Sequence, residues 1–445
     1  MKTTGSESIL LRFFFAPHQS LKTMFQSSTQ TLKKTNSWQF VAAASLAAFA
    51  TYFCMYAFRK PFTAATYDGL SLWGIQYKIV LVITQVAGYA LSKFIGIRFI
   101  SELRPNNRPL SILALIGVSW LALLGFALVP YPYNFVCLFF NGLPLGLIWG
   151  IAFSFLEGRR TTELLGAVMA VSFIVASGAV KSIGKWLMLT WGVSEFSMPF
   201  ATGSLFVIPL LVSVWLLSTL PPPSVSDIEH RTERRPMSSI DRLKLWKRYW
   251  FGIVCLVVFY LILSALRDFR DNFIVEIWTE LGYTNAAILT STEIPIALFA
   301  LLFVASTVLI KDNARAFWVN HFVVAGGCMS LLLSTFLYDT GWLSPKMWMI
   351  TCGLGLYIAY VLFQSLIFER MMASFREVGN VGFLMYIADS FGYLGSVVVL
   401  LFKNFGAKAT SWVDFFRMGV WGVGGLGLIL MLTSLIYFQK KYATI

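Results

Sequence analysis

Runs of about 20 predominantly apolar residues dominate this chain, and that is the length an α-helix needs to cross the hydrocarbon core of a bilayer. Between Trp38 and Phe438 they follow one another with only short polar loops or Pro/Gly breaks between them. Twelve are read here, at 38–58, 73–100, 109–130, 133–156, 163–189, 195–220, 249–273, 284–310, 314–339, 345–372, 376–403 and 411–439. A soluble surface cannot be built from what remains, because 57% of the residues are hydrophobic and only 13% are charged, whereas ordinary soluble domains carry about 25% charged residues. Outer-membrane strands alternate over roughly ten residues, and these runs are continuously apolar. The expectation is an all-α polytopic membrane protein with twelve transmembrane helices in two sets of six.

The stretch "PPPSVSDIEHRTERRPMSSIDRLKLWKR" at 221–248 separates the two sets. Its prolines end the sixth helix, its polar residues bury nothing, and "SSIDRLKLWKR" reads as a short amphipathic helix on the membrane surface. The division expected is a tail at 1–37, a first half at 38–220, a linker at 221–248, a second half at 249–439 and a tail at 440–445. Arginine and lysine collect in the N-terminal tail, in the even-numbered loops and at the C-terminus, and the odd-numbered loops are poor in both. Since basic loops stay on the cytoplasmic side, both termini are expected there, in a plasma membrane. The N-terminal cluster "ILLRFFFAP" is interrupted by Arg12 and too short for a signal-peptide core. Met24 offers an alternative start.

The formal charge of +14 does not point to nucleic acid, because the basic residues are spread over loops on one membrane face without a binding motif. Five cysteines fall inside predicted helices with no CxxC pair, so neither a disulfide framework nor a metal site is expected. The three histidines, His18, His230 and His321, are scattered over the tail, the linker and the ninth helix. No metal, cofactor or catalytic constellation is therefore expected. Aromatic residues, 16% of the chain, read as lipid-facing surface and interfacial belts, and the glycine-rich stretches read as helix-packing positions.

The halves carry a repeat. Tyr52, Tyr56 and Arg59 of the first helix match Tyr260, Ser264 and Arg267 of the seventh, with the same spacings of four and three. The fourth helix, "GLPLGLIWGIAFSFLEGRR", matches the tenth, "GLGLYIAYVLFQSLIFERM". Transporters are often built from two such halves.

Twelve spans, a six-plus-six repeat and a long central linker make the chain resemble the major facilitator superfamily. Within it the sequence is similar to the organophosphate:phosphate antiporters, the group of glycerol-3-phosphate and hexose-phosphate exchangers. "YAFRKPF" meets that group's Tyr-x-x-Arg-Lys-x-Phe pattern, "ALSKFIG" its Ser-Lys-Phe with Lys93, "SALRDFRDNF" its second arginine at Arg267, and "FGYLGS" its Phe-Gly-Tyr-Leu-Gly run with Tyr393. The chain departs from the group at Val175, where the group has histidine; Lys181 and Lys185 lie further along. It departs also in "SELRPNNR", which replaces the loop motif between the second and third helices. The resemblance implies that helices 1 and 7 face each other across a central cavity, and that the chain carries a small anion against a counter-anion as a monomer.

An arginine near the membrane centre costs about 2.5–3.5 kcal/mol even on the lenient insertion scale, so it is expected to face a wet cavity or a partner. Arg59 and Arg267 are the leading candidates for an anion site, since a guanidinium fork suits carboxylate and phosphate oxygens. Tyr52, Tyr56 and Tyr260 would add hydroxyls, and Lys60, Lys93 and Lys181 further cationic character. The alternative for Arg267 is self-neutralisation, because Asp268, Arg270 and Asp271 follow it and Arg267–Asp271 has the i, i+4 spacing of a helix pair. Glu293 and Asp389 are intramembrane acids that either pair with these cations or carry a proton. Three readings stay open at this point: anion exchange, proton-coupled symport, and a transporter-like sensor.

Overall fold

In the computed structural model of the chain, the structure describes residues 37–157, 159, 161–222, 239–377 and 382–444. The N-terminal tail with Arg12 and Met24, most of the linker, and Ile445 lie outside the described residues. The helices are α1 (Ser37–Tyr56), α2 (Tyr77–Glu102), α3 (Arg108–Leu128), α4 (Phe135–Phe153) and α5 (Thr162–Trp191). Then come α6 (Met198–Leu205 and Val207–Ser218, bent by 45°), α7 (Ser239–Asn272), α8 (Ile288–Val308), α9 (Asn313–Asp339), α10 (Pro345–Ser374), α11 (Gly382–Phe405) and α12 (Trp412–Tyr442). Among the described residues nine helices are long and apolar enough to cross a membrane, and ten if the bent α6 is counted as one. The remaining two, α2 and α11, have 26 and 24 residues. At about 1.5 Å rise per residue each exceeds the roughly 30 Å of a bilayer core.

Helix starts differ from expectation by several residues: the eighth helix begins at Ile288 rather than 284 and the eleventh at Gly382 rather than 376, and two further differences have a local cause. The second helix starts at Tyr77 rather than 73, because Ser71–Leu72 and Ile75–Gln76 pair as a two-stranded hairpin turned by Trp73 and Gly74 at positive φ. The basic stretch before the seventh span is not a separate surface helix. It continues unbroken into α7 from Ser239.

The packing scheme repeats. In the first half α1 packs on α5 and α6, α2 on α4, and α3 on α4 and α6; in the second, α7 packs on α11 and α12, α8 on α10, and α9 on α10 and α12. The halves meet through α5 against α8 and α2 against α11. Close backbone approach makes this possible. At Gly142 of α4 a Cβ would stand 2.2 Å from the Gln85 carbonyl oxygen of α2, and at Gly178 of α5 it would stand 2.2 Å from the Leu289 carbonyl oxygen of α8. Small residues of this kind let helices associate in lipid, where apolar burial gives no advantage over the acyl chains.

Candidate functional site

A cavity lies between the halves, lined from α1 and the turn that follows it and from α2, α4, α5, α7, α10 and α11. Its position follows from how α1 ends. The Tyr56 carbonyl accepts from both Arg59 and Lys60 N–H, at 3.0 and 2.9 Å, and Pro61 opens a 3-10 turn over Pro61–Ala64. Proline suits the first position of a helical turn and cannot continue a preceding one. The carbonyls freed at this break are met by buried amides: Asn141 of α4 donates to the Phe58 oxygen at 2.9 Å, and Gln85 of α2 to the Arg59 oxygen at 2.8 Å. Arg59 and Lys60, adjacent in sequence, thereby part company.

Lys60 crosses to α7. Its ammonium pairs with Asp271 at 2.5 Å and donates to Asn272 Oδ1 at 2.8 Å. Asp271 also takes Lys181 of α5 at 2.7 Å and a hydrogen bond from Ser177 at 2.5 Å. Two buried ammonium groups share one carboxylate, which leaves this cluster a positive charge in excess.

Arg59 faces the cavity. Its guanidinium lies over the Tyr89 ring at 4.1 Å and reaches the Tyr56 hydroxyl at 3.4 Å. Its Nε is buried without a partner, and among the described residues no carboxylate pairs with it. Arg267 is different. It lies over Tyr360 at 3.7 Å and pairs with Asp268 at 2.5 Å, and Asp268 also accepts from Ser396 at 2.7 Å. The expected Arg267–Asp271 pair does not form, because Asp271 is engaged by the two lysines of the other half. Between the two guanidiniums runs an aromatic wall, in which Phe173 stacks on Tyr56 at 6.3 Å and meets Tyr360 edge-on at 5.6 Å.

Where α2 meets α11, Tyr89 and Tyr393 pack edge to face at 5.6 Å, and Lys93 stands 3.9 Å from Asp389. Asp389 Oδ1 accepts from Tyr260 at 2.7 Å and Gln364 at 2.9 Å. A π-helical turn at Phe363–Ile367 carries Gln364 in α10, and such wide turns recur at functional positions in helices.

We call the end of the bundle where α1 begins basal, and the other end apical. Apically the halves are tied in successive layers: the Lys60–Asp271–Lys181 cluster, then Lys78–Glu276 at 2.5 Å, then Asn404, which accepts from Gln76 N–H at 3.0 Å and donates to Gly74 at 3.2 Å. Burial pushes the Glu276 carboxyl up, and the Lys78 ammonium beside it acts in the opposite sense. On the basal side Glu163 pairs with Arg370 at 2.8 Å, also across the halves.

Of the residues singled out by sequence, Tyr52, Tyr56, Arg59, Lys60, Lys93 and Arg267 line the cavity, as do Asp268, Asp271, Asp389 and Tyr393. Lys181 and Tyr260 lie behind the wall, bonded to Asp271 and Asp389. Arg270 and Glu293 pair with each other at 2.8 Å, fully buried and away from the cavity. Sequence reasoning missed Gln85 and Tyr89 of α2 and Tyr357, Tyr360 and Gln364 of α10. A signal was present: Gln85, Tyr89 and Lys93 are four apart, and Tyr357, Tyr360 and Gln364 three and four apart, each set being one polar face of an apolar helix. Among the described residues no group of histidine, cysteine and acidic side chains could hold a metal ion.

The profile of a family of unknown function, DUF5690, matches residues 61–441. No curated protein matches the sequence. Solved structures do. A bacterial homologue of the human lysosomal transporter Spinster, in an inward-facing and unoccupied conformation, superimposes with a TM-score of 0.56 at 10% identity, covering 90% of this chain and 97% of that one. A D-xylose–proton symporter gives 0.56 at 16% identity, with 90% and 97% covered. A POT-family transporter in complex with a thioalcohol-conjugated peptide gives 0.57 at 10% identity, with 90% and 96% covered. At these identities the likeness concerns the fold: the chain has the all-α, polytopic major facilitator architecture.

Proposed function

The chain belongs to the DUF5690 family, whose function is unknown, and from the site itself we propose that it is a secondary transporter carrying a small organic anion across the membrane by alternating access. The observation that carries this reading is Arg59. A guanidinium held in a cavity between two helical halves, over an aromatic ring and, among the described residues, paired with no carboxylate, keeps a cost of about 2.5–3.5 kcal/mol that an anion would offset. The anion, a phosphate ester or a carboxylate, sits between Arg59 and Arg267 with tyrosine hydroxyls around it and bridges the two halves. Both halves lie in one chain, so a monomer holds a whole site. Uptake by vesicles carrying the purified protein tests this. Arg59→Lys and Arg267→Lys keep the charge but lose the planar fork, and each is expected to cut transport about tenfold or more. Wild-type rates in both would place the site elsewhere.

The lysine and arginine distribution supports cytoplasmic termini. A reporter fused after Ile445 is expected to read cytoplasmic, and one inserted at 130–134 external; the reverse pattern would overturn this orientation.

A further inference from the structure

The cavity holds charges of both signs, and most are already matched at hydrogen-bond distance. Asp268 has both oxygens engaged, by Arg267 and Ser396, and so does Asp271, by Lys60 on one and Lys181 and Ser177 on the other. Two groups differ. Arg59 has no carboxylate among the described residues. Among the described residues, the Asp389 carboxylate accepts two hydrogen bonds, both on Oδ1, from Tyr260 and Gln364, while its Oδ2 faces the Lys93 ammonium at 3.9 Å, beyond the roughly 2.7–3.2 Å of a hydrogen bond. A carboxylate in the cavity wall has one oxygen held in place and the other offered.

The wall between these two groups is made for a cation as well as an anion. Six tyrosines line the cavity, together with Phe173 and Trp149. Tyr89, which carries Arg59 over its ring, touches Tyr393 at 5.6 Å, and Tyr393 lies one helical turn from Asp389. Electron-rich faces beside a carboxylate are the chemistry that recognises an ammonium group.

We propose, resting on the anion-carrier reading above, that the substrate is an anion that also carries an ammonium group, with its acidic end on Arg59 and its ammonium on Asp389 Oδ2. Tyr260 and Gln364 hold the carboxylate in the required rotamer from behind, and the π-helical turn of α10 brings Gln364 to it. Lys93 has a side chain that is 20% exposed, and it swings toward the basal end as the ligand ammonium takes its place. One molecule then engages α1 of the first half and α11 of the second.

Matched probes test this on the full-length protein in nanodiscs. The probes are ω-aminoalkylphosphonates over a ladder of chain lengths and alkylphosphonates of the same lengths, with ω-amino acids and simple carboxylates as a second pair of series; binding is read by calorimetry. In wild type one chain length of the amino series is expected to bind about tenfold or more tighter than its alkyl counterpart, as a charge-assisted hydrogen bond in a closed site requires. Asp389→Asn should reduce that ratio to about one, while Arg59→Lys weakens both members together. Asp389→Glu should shift the preferred amino probe to a shorter chain, a change that a purely structural role for Asp389 would not produce. Equal binding of amino and alkyl probes in wild type, or an undiminished ratio in Asp389→Asn, overturns the proposal and leaves the anion carrier standing. Failure of every probe to bind overturns both. If Asp389→Asn does not fold, Tyr260→Phe, which removes one of the two bonds that aim the carboxylate, must lower the ratio; an unchanged ratio counts against the proposal.

Discussion

Asn141 lies in the cavity's supporting layer rather than on its wall, yet it sets where Arg59 stands. Its amide donates to the carbonyls of Phe58 and Ser119 at 2.9 and 3.0 Å and accepts from Gln85 at 2.7 Å, so one side chain ties the end of α1 to α2 and α3. Asn141→Ala would take the donor from the Phe58 carbonyl at the end of α1, whereas the Ser119 carbonyl, inside α3, keeps its place in the helix ladder. In a membrane interior a single interhelical hydrogen bond is worth about 0.6 kcal/mol on average, and an unsatisfied buried group costs about 1–3 kcal/mol, so a loss of about 2 kcal/mol of stability is expected. Anion affinity should fall as well, although every lining residue is intact. A thermal-unfolding series with and without ligand checks both, and unchanged affinity would mean that Arg59 is positioned without Asn141. Position 141 was silent in the sequence reading, because an asparagine in "FFNGLPLG" shows no sign of its partners on other helices.

At the scale of elements, α5 and α8 form the contact on which the halves close. Gly178 faces the Leu289 carbonyl, and Glu293 Cγ would lie 3.0 Å from an added Cβ. A larger side chain cannot be accommodated by rotating a neighbour, because the obstacle at 2.2 Å is backbone. Gly178→Leu is therefore expected to push α8 away and loosen the apical layers at Lys60–Asp271 and Lys78–Glu276. The measurement is the reactivity of Asn272→Cys toward a membrane-impermeant thiol reagent added from the apical side. It should rise several-fold when Gly178→Leu is combined with it; no change would show that α5 and α8 do not govern apical closure. The helices themselves were legible, since long apolar runs dictate them. The hairpin at 71–76 was not, because Ser71–Gln76 is too short for a periodic signal and its pairing depends on Asn404, more than three hundred residues away.

At the scale of the whole molecule, charge balance bears on the transport mode. Four lining cations face three carboxylates, and behind the wall Lys181 adds to the Lys60–Asp271 cluster. Closing the empty cavity would dehydrate Arg59, which has no paired carboxylate among the described residues, and desolvating an unpaired charge costs several kcal/mol. A bound anion removes that obstacle, so we expect the empty carrier to reorient slowly and the loaded one readily, which is exchange. Liposomes loaded with phosphate or unlabelled substrate should take up labelled substrate about tenfold faster than empty ones at constant pH. Equal rates, with stimulation by a proton gradient that is lost in Asp389→Asn or Glu293→Gln, would replace exchange by proton symport. Glu293 is held at 2.8 Å by the Arg270 guanidinium and stands outside the cavity lining, whereas Asp389 lines it.

The sequence by itself determined the solvent, the helical class and the two-half repeat, because hydrophobic run length and loop charge act locally and leave a one-dimensional record. It also singled out Arg59, since a charge beside tyrosines in an apolar run has few reasons to be there. Only the tertiary structure decided which charges remain unmatched. Asp268 and Asp271 both follow Arg267 closely, and spacing alone offered Asp271 as its partner. Lys60 and Lys181 reach that carboxylate from the end of α1 and from α5, about 210 and 90 residues away in sequence, and so leave Arg267 to Asp268. Pairing over such separations depends on where helices cross, and helix crossing is fixed by packing at positions such as Gly178 and Gly142, which no single stretch of sequence contains.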